Sequence, residues 1–597
     1  MKLSDYVMQF LVEKDIRTVF MVSGGGIMHL VDSLGKNPDM RYICNYHEQA
    51  CAHGAEVFSR VTGKVGACLV TTGPGGVNAL SGVASAWVDS IPILVLSGQV
   101  RRNIIADYDQ IRQMGPQEGN VVAMAQPVTK YAITLQHPEK IRYELEKALY
   151  LAATGRPGPV WLDFPLDVQE AQIDETSLEA FTPPRAPETP ERLAEQAREF
   201  IKLARAARRP LFLLGNGIHI VRAEKLLETL LEKMPFPVIM PNCAKDLVPE
   251  AHPCNMGVFG TAGQRRANFA VQNADCLISL ASGLNITKAG FNYKAFAPKA
   301  KKIIVDIDNG QLHHQAIQPD LAIQLDIYMF LTEVLRQIDA DGLQFVLEDK
   351  WLNACKRWKE RYPVITKDFY DDTNHVNTYV FMNTLSDLLT ADDVVVTGNG
   401  IEEVSYWQAF KVKKGQRTMI SGNWGPMGWD LPAAVGASVG SGKRTFCLTG
   451  DGSSQWNIQE LLTISHNNLP VKIFIFNNKG YTCIRQTQGN FFGRFVGADE
   501  GSGVSNPDFA ALAAAYGFEY SRILNNNEIA EGIKKVLATD GPTLCELNIS
   551  TEQGISPKAS AFRREDGTLE SRPLEDMAPF LPREEIYENM HLFDEVE

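Results

Sequence analysis

The sequence contains no apolar run approaching the ~20 residues that span a bilayer, so it reads as a chain without membrane spans. Nor does it open on a signal peptide. MKLSDYVMQFLVEKD carries Asp5, Glu13, Lys14 and Asp15 and has the pattern of an amphipathic helix. The ten cysteines show no CxxC and no paired spacing, which argues against a zinc site or a disulfide framework. Buried thiols in a reducing, cytoplasmic compartment are the expectation. Positive charge is in deficit: 58 Lys and Arg face 71 Asp and Glu, a formal net charge of -13. That excludes a general nucleic-acid surface, which needs a basic field. It leaves room for an anionic small molecule held by a local cluster of donors. There is no low-complexity segment, no tandem repeat and no GxGxxG followed by a ribose-binding acid. The last absence removes a nicotinamide dehydrogenase.

What is present is a succession of short apolar runs alternating with helical patterns. Examples are TVFMV (18–22), VGACLVTT (65–72), PILVLSG (92–98), PVWLDF (159–164), PLFLLG (210–215), CLISLA (276–281), KIIVDID (302–308), DVVVTG (393–398), RTFCLTG (444–450) and VKIFIF (471–476). Continuous apolar strands followed by glycine turns and helices predict parallel sheets covered on both faces. A Pro-, Glu- and Thr-rich stretch at 169–193 and a strand-free polar stretch at 338–372 read as linkers. The fold class expected is α/β, with three doubly wound parallel-sheet domains at 1–170, 190–340 and 370–550 and a polar tail at 551–597.

The most informative segment runs from a strand ending in Gly450-Asp451-Gly452, through NIQELLTISHNN, to a strand ending in Asn477-Asn478-Lys479-Gly480. Ile458, Leu461, Leu462 and Ile464 approximate one helical face. A right-handed βαβ crossover then brings Asp451 and Asn478 to the same sheet edge, where ligands bind in such folds. A carboxylate, an amide oxygen and a turn carbonyl are hard donors that suit Mg²⁺, and the glycines let backbone N–H groups approach a diphosphate. Each motif alone is a common turn. Both closing apolar strands with one helix between them is far rarer by chance.

This pairing resembles the GDG…NN signature of thiamine-diphosphate enzymes, and the resemblance to the acetolactate-synthase type extends over nearly the whole chain. It includes SGGG (23–26), GPG (73–75), GQV (98–100), TKY (129–131), GRPGPVWLDFPLDV (155–168), SGNWGPMGWDLPAAVG (421–436) and SRPLEDM (571–577). On that resemblance Asp451, Asn478 and the Gly480 carbonyl are the metal ligands. Glu48, in the HEQ element, is the catalytic residue: it exchanges a proton with the aminopyrimidine ring, which then deprotonates the thiazolium carbon. A carboxyl that shares a proton at neutral pH needs a partly desolvated site. The Gly425 carbonyl and Met427 hold the aminopyrimidine and bend the cofactor. Gly25, Gly75, Asn78, Gly400, Gly450, Gly452, Ser453, Ser454 and Tyr481, together with Asn478, complete the implied cofactor-binding set. GNG (215–217) and HPCNMGVFG (252–260) stand where acetolactate synthases contact FAD, so FAD is a further candidate cofactor, although ASGLNITKAG (281–290) replaces the family's arginine-containing segment.

Three departures concern the substrate. The family's acceptor-selecting tryptophan falls near Thr487, and its diphosphate-touching Gln–His pair is Ile401-Glu402. The loop 101–119 is long and carries Arg101, Arg102 and Arg112, either as a solvated loop or to meet an anionic acceptor. The expected activity is a carboligase that takes an acetyl unit from pyruvate or another 2-keto acid and adds it to a carbonyl acceptor, a nucleotide-linked keto sugar being one candidate. The alternative is a non-ligating decarboxylase, against which the lack of a histidine pair in loop 101–119 counts. Retention of Glu48, Asp451 and Asn478 counts against a non-catalytic scaffold. Because Glu48 and the metal site lie in different blocks, the resemblance implies a homodimer or homotetramer.

Overall fold

The structure is a computed structural model that describes residues 1–184, 191–313, 316–564 and 566–594. The centre of the 169–193 linker therefore lies outside the described residues. Three six-stranded sheets, every pairing parallel, follow one another along the chain. The first holds β1 (Thr18–Met21), β2 (Arg41–Cys44), β3 (Gly66–Val70), β4 (Ile93–Gln99), β5 (Tyr131–Thr134) and β6 (Val160–Pro165), in the order β2-β1-β3-β4-β6-β5. The second holds β7 (Pro210–Leu214), β8 (Val238–Met240), β9 (Asn255–Val258), β10 (Cys276–Leu280), β11 (Lys301–Asp306) and β12 (Leu321–Gln324), in the order β12-β11-β10-β7-β8-β9. The third holds β13 (Val394–Thr397), β14 (Thr418–Ile420), β15 (Thr445–Gly450), β16 (Val471–Asn477), β17 (Glu519–Ile523) and β18 (Thr543–Asn548), in the order β14-β13-β15-β16-β18-β17. The first and third sheets share one connection order. The tail adds two small antiparallel pairs, β19 (Lys558–Ala559) with β22 (Met577–Ala578) and β20 (Ala561–Arg563) with β21 (Leu569–Ser571).

Central strands such as β3, β4, β7, β10 and β15 are buried at every position. Helices on both faces explain why they read as unbroken apolar runs. The opening segment is a helix, Leu3–Glu13, whose Leu3, Val7, Phe10 and Leu11 face the core. In the third sheet's crossover Leu461 and Ile464 are buried, but Leu462 is 39% exposed, which corrects its assignment to the inner face. The helix there is only Glu460–His466, too short to carry a wide apolar stripe. All ten cysteines are free; Cys44 and Cys483 are exposed, so burial holds for most of the thiols and not for all.

The first and third sheets are joined by direct helix packing. The helix Glu48–Thr62 lies against the helix Asp430–Ser441 so closely that a methyl group on Gly436 would stand 2.3 Å from the Gly54 carbonyl. Beneath that contact a buried ion network crosses between the two blocks. Arg60 binds Glu56 and, at 2.7 Å, Asp89, and its other nitrogen donates to the Ile420 carbonyl at 3.0 Å. Trp429 Nε1 donates to Glu56 at 3.1 Å and Asn423 to Asp89 at 2.6 Å. Burial alone would push the Glu56 carboxyl up, but the Arg60 guanidinium overrides it and holds Glu56 at about 2. Asp89 shares the same cation and is raised, by burial first and then by Glu56.

Candidate active site

The carboxyl ends of β1, β2 and β3 form the first half-site. Glu48 is the first residue of its helix, where the helix dipole favours a carboxylate, and only 9% of it is exposed. Asn78 donates to its Oε2 at 3.0 Å. A methyl on Gly75 would sit 3.1 Å from its Oε1. The turn before Gly75 needs glycine at Gly73, which has φ +57 and lies against the Gln117 carbonyl, 1.8 Å from where a Cβ would stand. The SGGG loop packs on the same feature: Cβ atoms on Gly24 and Gly26 would strike Thr71 and Thr72, while Gly25 faces open space. Glu48, Gly75 and Asn78 are thus gathered at one place, with the Gly25 loop beside them.

Loop 101–119 borders this half-site through Gln117. Glu118 ties it down by accepting from the Ala106, Met114 (2.7 Å) and Gly115 (3.1 Å) amides. Sequence reading gave no role to Glu118, which has no motif around it. The loop's arginines are largely spent: Arg102 pairs with Asp167 at 2.7 Å and Arg101 with Glu170 at 3.4 Å. Among the described residues Arg112 is exposed and forms no ion pair.

The second half-site is a pocket of about 290 Å³ at the carboxyl ends of β13, β15 and β16, and its lining among the described residues comes from the third block. Gly400, Gly425 and Met427 form one wall; Gly450, Asp451, Gly452 and Ser453 form the floor; Asn478, Gly480 and Tyr481 close it. Ser454 does not line it and braces it from behind, donating to the Asp451 carbonyl at 3.1 Å. The crossover therefore brings Asp451 and Asn478 together, with the chain ends of β15 and β16 side by side. Gly452 permits the Tyr481 ring to approach to 2.1 Å from where a Cβ would stand. The Gly425 carbonyl, expected to meet the aminopyrimidine, is taken by the Asn399 amide here.

The donor set suits a divalent cation. Asp451 Oδ2 accepts from the Gly480 amide at 3.0 Å and from Asn506 Nδ2 at 2.7 Å. Burial outweighs these bonds and lifts its carboxyl to about 6. No cationic side chain pairs with Asp451 among the described residues, and a metal would supply the missing charge. Asn478 Oδ1 accepts only a long contact, 3.3 Å, from Arg485. Asn506 Oδ1 is buried with no partner at all. Asn506 was missed from sequence because a lone loop asparagine carries no signal.

Glu402, which the resemblance sets in place of a diphosphate-touching residue, lines the same pocket. It is 1% exposed, and its Oε1 has no partner. Burial first, then the nearby Asp430 and Asp451 carboxylates, push it up to about 8. At neutral pH it therefore keeps its proton and offers an O–H donor instead of a further negative charge.

The chain matches the family models described as thiamine pyrophosphate enzyme, N-terminal TPP binding domain (residues 1–124), central domain (197–334) and C-terminal TPP binding domain (398–547). It is 30% identical over 555 residues to the acetolactate synthase isozyme 1 large subunit of Escherichia coli K12, covering 93% of this chain and 95% of that one. The chain belongs to the thiamine pyrophosphate enzyme family. Within it the probable acetolactate synthase large subunit of Methanocaldococcus jannaschii is 31% identical over 568 residues, 93% of both chains. The acetolactate synthase large subunit of Lactococcus lactis is 29% identical, over 94% of this chain and 95% of its own. This is a thiamine-diphosphate-dependent enzyme of the acetolactate-synthase-like group. Among the described residues no helix is long and apolar enough to cross a membrane.

Proposed function

We propose that the enzyme is a decarboxylating carboligase that moves a two-carbon acetyl unit from pyruvate, or another 2-keto acid, to a carbonyl acceptor, with a nucleotide-linked keto sugar as the candidate acceptor. The observation that carries this reading is the third-block pocket, which collects the metal-donor and diphosphate-binding residues around Asp451. Asp451, Asn478 and the Gly480 carbonyl would hold Mg²⁺, and the glycines of the floor would admit a diphosphate. Bound thiamine diphosphate supplies the nucleophile and electron sink that decarboxylation requires.

The chain's own groups do the rest. Glu48 would exchange a proton with the cofactor's aminopyrimidine at its carboxyl, which Asn78 fixes by donating to Oε2. Met427 shapes the pocket, and Glu402 donates to a phosphate oxygen. Thr487, the position that the resemblance assigns to acceptor selection, lies exposed on the helix Thr482–Phe492. No first-block residue lines the third-block pocket. A second copy that brings its Glu48 to this pocket completes the site, so the working unit is a homodimer or a dimer of dimers. The sequence-read divisions at 1–170, 190–340, 370–550 and 551–597 serve as its domain bounds.

FAD has no part in this reading. The cleft of about 120 Å³ at the ends of β7, β10 and β11 is lined by Asp89, Asp306 and Asp326 among others. Its Arg156 is tied to Asp308 at 2.7 Å, Lys288 donates to the Gly283 carbonyl at 2.7 Å, and Asp89 is already paired with Arg60. Gly215 and Gly217 are required by the Ala281 carbonyl, which a Cβ would meet at 2.0 and 3.1 Å, so their place in GNG needs no ligand to explain it. That lining does not fit a dinucleotide diphosphate.

The test is to load the protein with Mg²⁺ and thiamine diphosphate, desalt it and analyse the released cofactors by absorbance and mass spectrometry. Thiamine diphosphate without flavin is expected. Asp451→Ala is expected to lose Mg²⁺ and thiamine diphosphate together. Well-folded wild-type protein that retains neither would remove the catalytic reading. With [3-¹³C]pyruvate and candidate acceptors, label confined to acetaldehyde would make the enzyme a simple decarboxylase.

A further inference from the structure

Arg485 is a buried cation in a costly place. Only 8% of it is exposed, and no carboxylate pairs with it among the described residues. It stands in the first turn of the helix Thr482–Phe492, where the helix dipole disfavours positive charge. Its Nε is buried with no partner. Taking a charge out of water without an anion costs free energy, so this guanidinium is expected where it holds something the fold does not hold otherwise.

What it holds is the turn between β16 and that helix. Its Nη2 donates to the Asn478 carbonyl at 3.0 Å and to Asn478 Oδ1 at 3.3 Å, and its Nη1 donates to the Lys479 carbonyl at 3.3 Å. Nη2 also reaches Thr482 Oγ1 at 3.2 Å. No other group donates to these two carbonyls among the described residues. The planar fork thus spans two successive carbonyls, which the point charge of a lysine does not do. The turn itself is not a relaxed one. Lys479 takes φ +58, a left-handed conformation that costs a non-glycine residue, and Gly480 takes φ +133. A Cβ on Gly480 would stand 2.3 Å from the Ala498 carbonyl oxygen and 3.0 Å from Arg485 Nη1, so the close approach on both sides relies on glycine. The Lys479 side chain is exposed, and only its carbonyl enters the clamp. The Gly480 amide in turn donates to Asp451 Oδ2 at 3.0 Å.

We propose that Arg485 is the positioning residue of the metal site. Its clamp sets the Asn478 amide oxygen and the Gly480 carbonyl where a divalent cation takes both together with Asp451. This rests on the reading of Asp451, Asn478 and Gly480 as metal donors given above. Groups that stand behind metal ligands orient them, and losing one weakens a site by about 10–100-fold. A purely electrostatic role would have the opposite sign, because a guanidinium repels a nearby cation and its removal would tighten the site. The clamp also distinguishes between ions. Mg²⁺ demands near-ideal octahedral geometry, whereas Ca²⁺ accepts irregular, longer coordination. A loosened turn therefore penalises Mg²⁺ more than Ca²⁺, while a general loss of folding penalises both alike.

The experiment uses the full chain with excess thiamine diphosphate and graded Mg²⁺ or Ca²⁺. Each sample is desalted into the same metal concentration, and retained thiamine diphosphate is measured by mass spectrometry. Arg485→Met is expected to raise the Mg²⁺ concentration for half-retention about 10–100-fold, and that for Ca²⁺ clearly less. Turnover at saturating Mg²⁺ should stay within a few-fold of wild type. Arg485→Lys, which keeps the charge and loses the fork, should fall between wild type and Arg485→Met. Circular dichroism of the metal-free protein checks folding; if Arg485→Met does not fold, Arg485→Lys carries the test by the same criteria. Unchanged or tighter Mg²⁺ retention overturns the assignment, and so does an equal shift for both ions in folded protein. Wild-type protein that retains no thiamine diphosphate with either ion would sink the metal-site reading itself, and the assignment with it.

Discussion

Glu48→Gln is expected to lower turnover by about 10²–10⁴-fold while leaving thiamine diphosphate retention largely intact. The glutamine side chain keeps the length of Glu48 and an oxygen that can accept from Asn78, which donates to Glu48 at 3.0 Å in the wild type. The Gly75 approach is also unaffected, since it depends on the absent Cβ and not on charge. What the variant loses is the capacity to take up and release a proton. Proton exchange at the cofactor's thiazolium carbon, followed by NMR in deuterium oxide, should slow in step with turnover. A variant with wild-type turnover would strip Glu48 of its assigned role. A variant that loses cofactor as fast as Asp451→Ala would make Glu48 a binding group.

Arg60→Met should cost about 3–5 kcal/mol of folding free energy, because it strands a buried carboxylate pair without its cation. The Arg60 side chain is 7% exposed and those of Glu56 and Asp89 are 0% and 3% exposed, so water cannot substitute for it. Urea unfolding at neutral pH measures the loss. Adding Glu56→Gln to Arg60→Met should recover part of it, since the stranded charge disappears. The pH dependence has a definite sign. Glu56 is held at about 2, below its ordinary 4.5, so its contribution is present above about pH 4.5 and is lost as pH falls toward 2. In Arg60→Met only His53, Ser85 and Trp429 remain to oppose burial at Glu56, so the loss should begin at a higher pH than in the wild type. An unchanged acid limb in the variant would mean that Arg60 does not set the Glu56 titration.

The parts of this enzyme that a reader of the sequence can see are those made by local pattern. The unbroken apolar strands announce parallel sheets, and β15 and β16, each closing on a polar turn, announce where the metal donors meet. Edge strands are harder. β5 is only partly buried at every position and β17 carries Glu519, Ser521 and Arg522, so neither shows an apolar run. In β18 the run is interrupted by Glu546, which is needed to accept from Asn477 and Tyr520. The site residues that escaped share a different reason. Asn506 and Glu118 act through contacts with loops, and Arg60, besides Glu56 one turn earlier on its own helix, reaches Asp89 and the Ile420 carbonyl far along the chain; no periodicity records those long-range contacts.

Among the described residues the third-block pocket contains no part of the first block, so on the proposed two-copy site each copy of the chain carries the two ends of the reaction as separable cassettes. In genetic terms, a Glu48-deficient allele and an Asp451-deficient allele should complement one another when expressed together. Each mixed pair has one ruined site and one fully wild-type site. Random assortment of equal amounts then restores roughly a quarter of normal activity, from two gene products that are each inert.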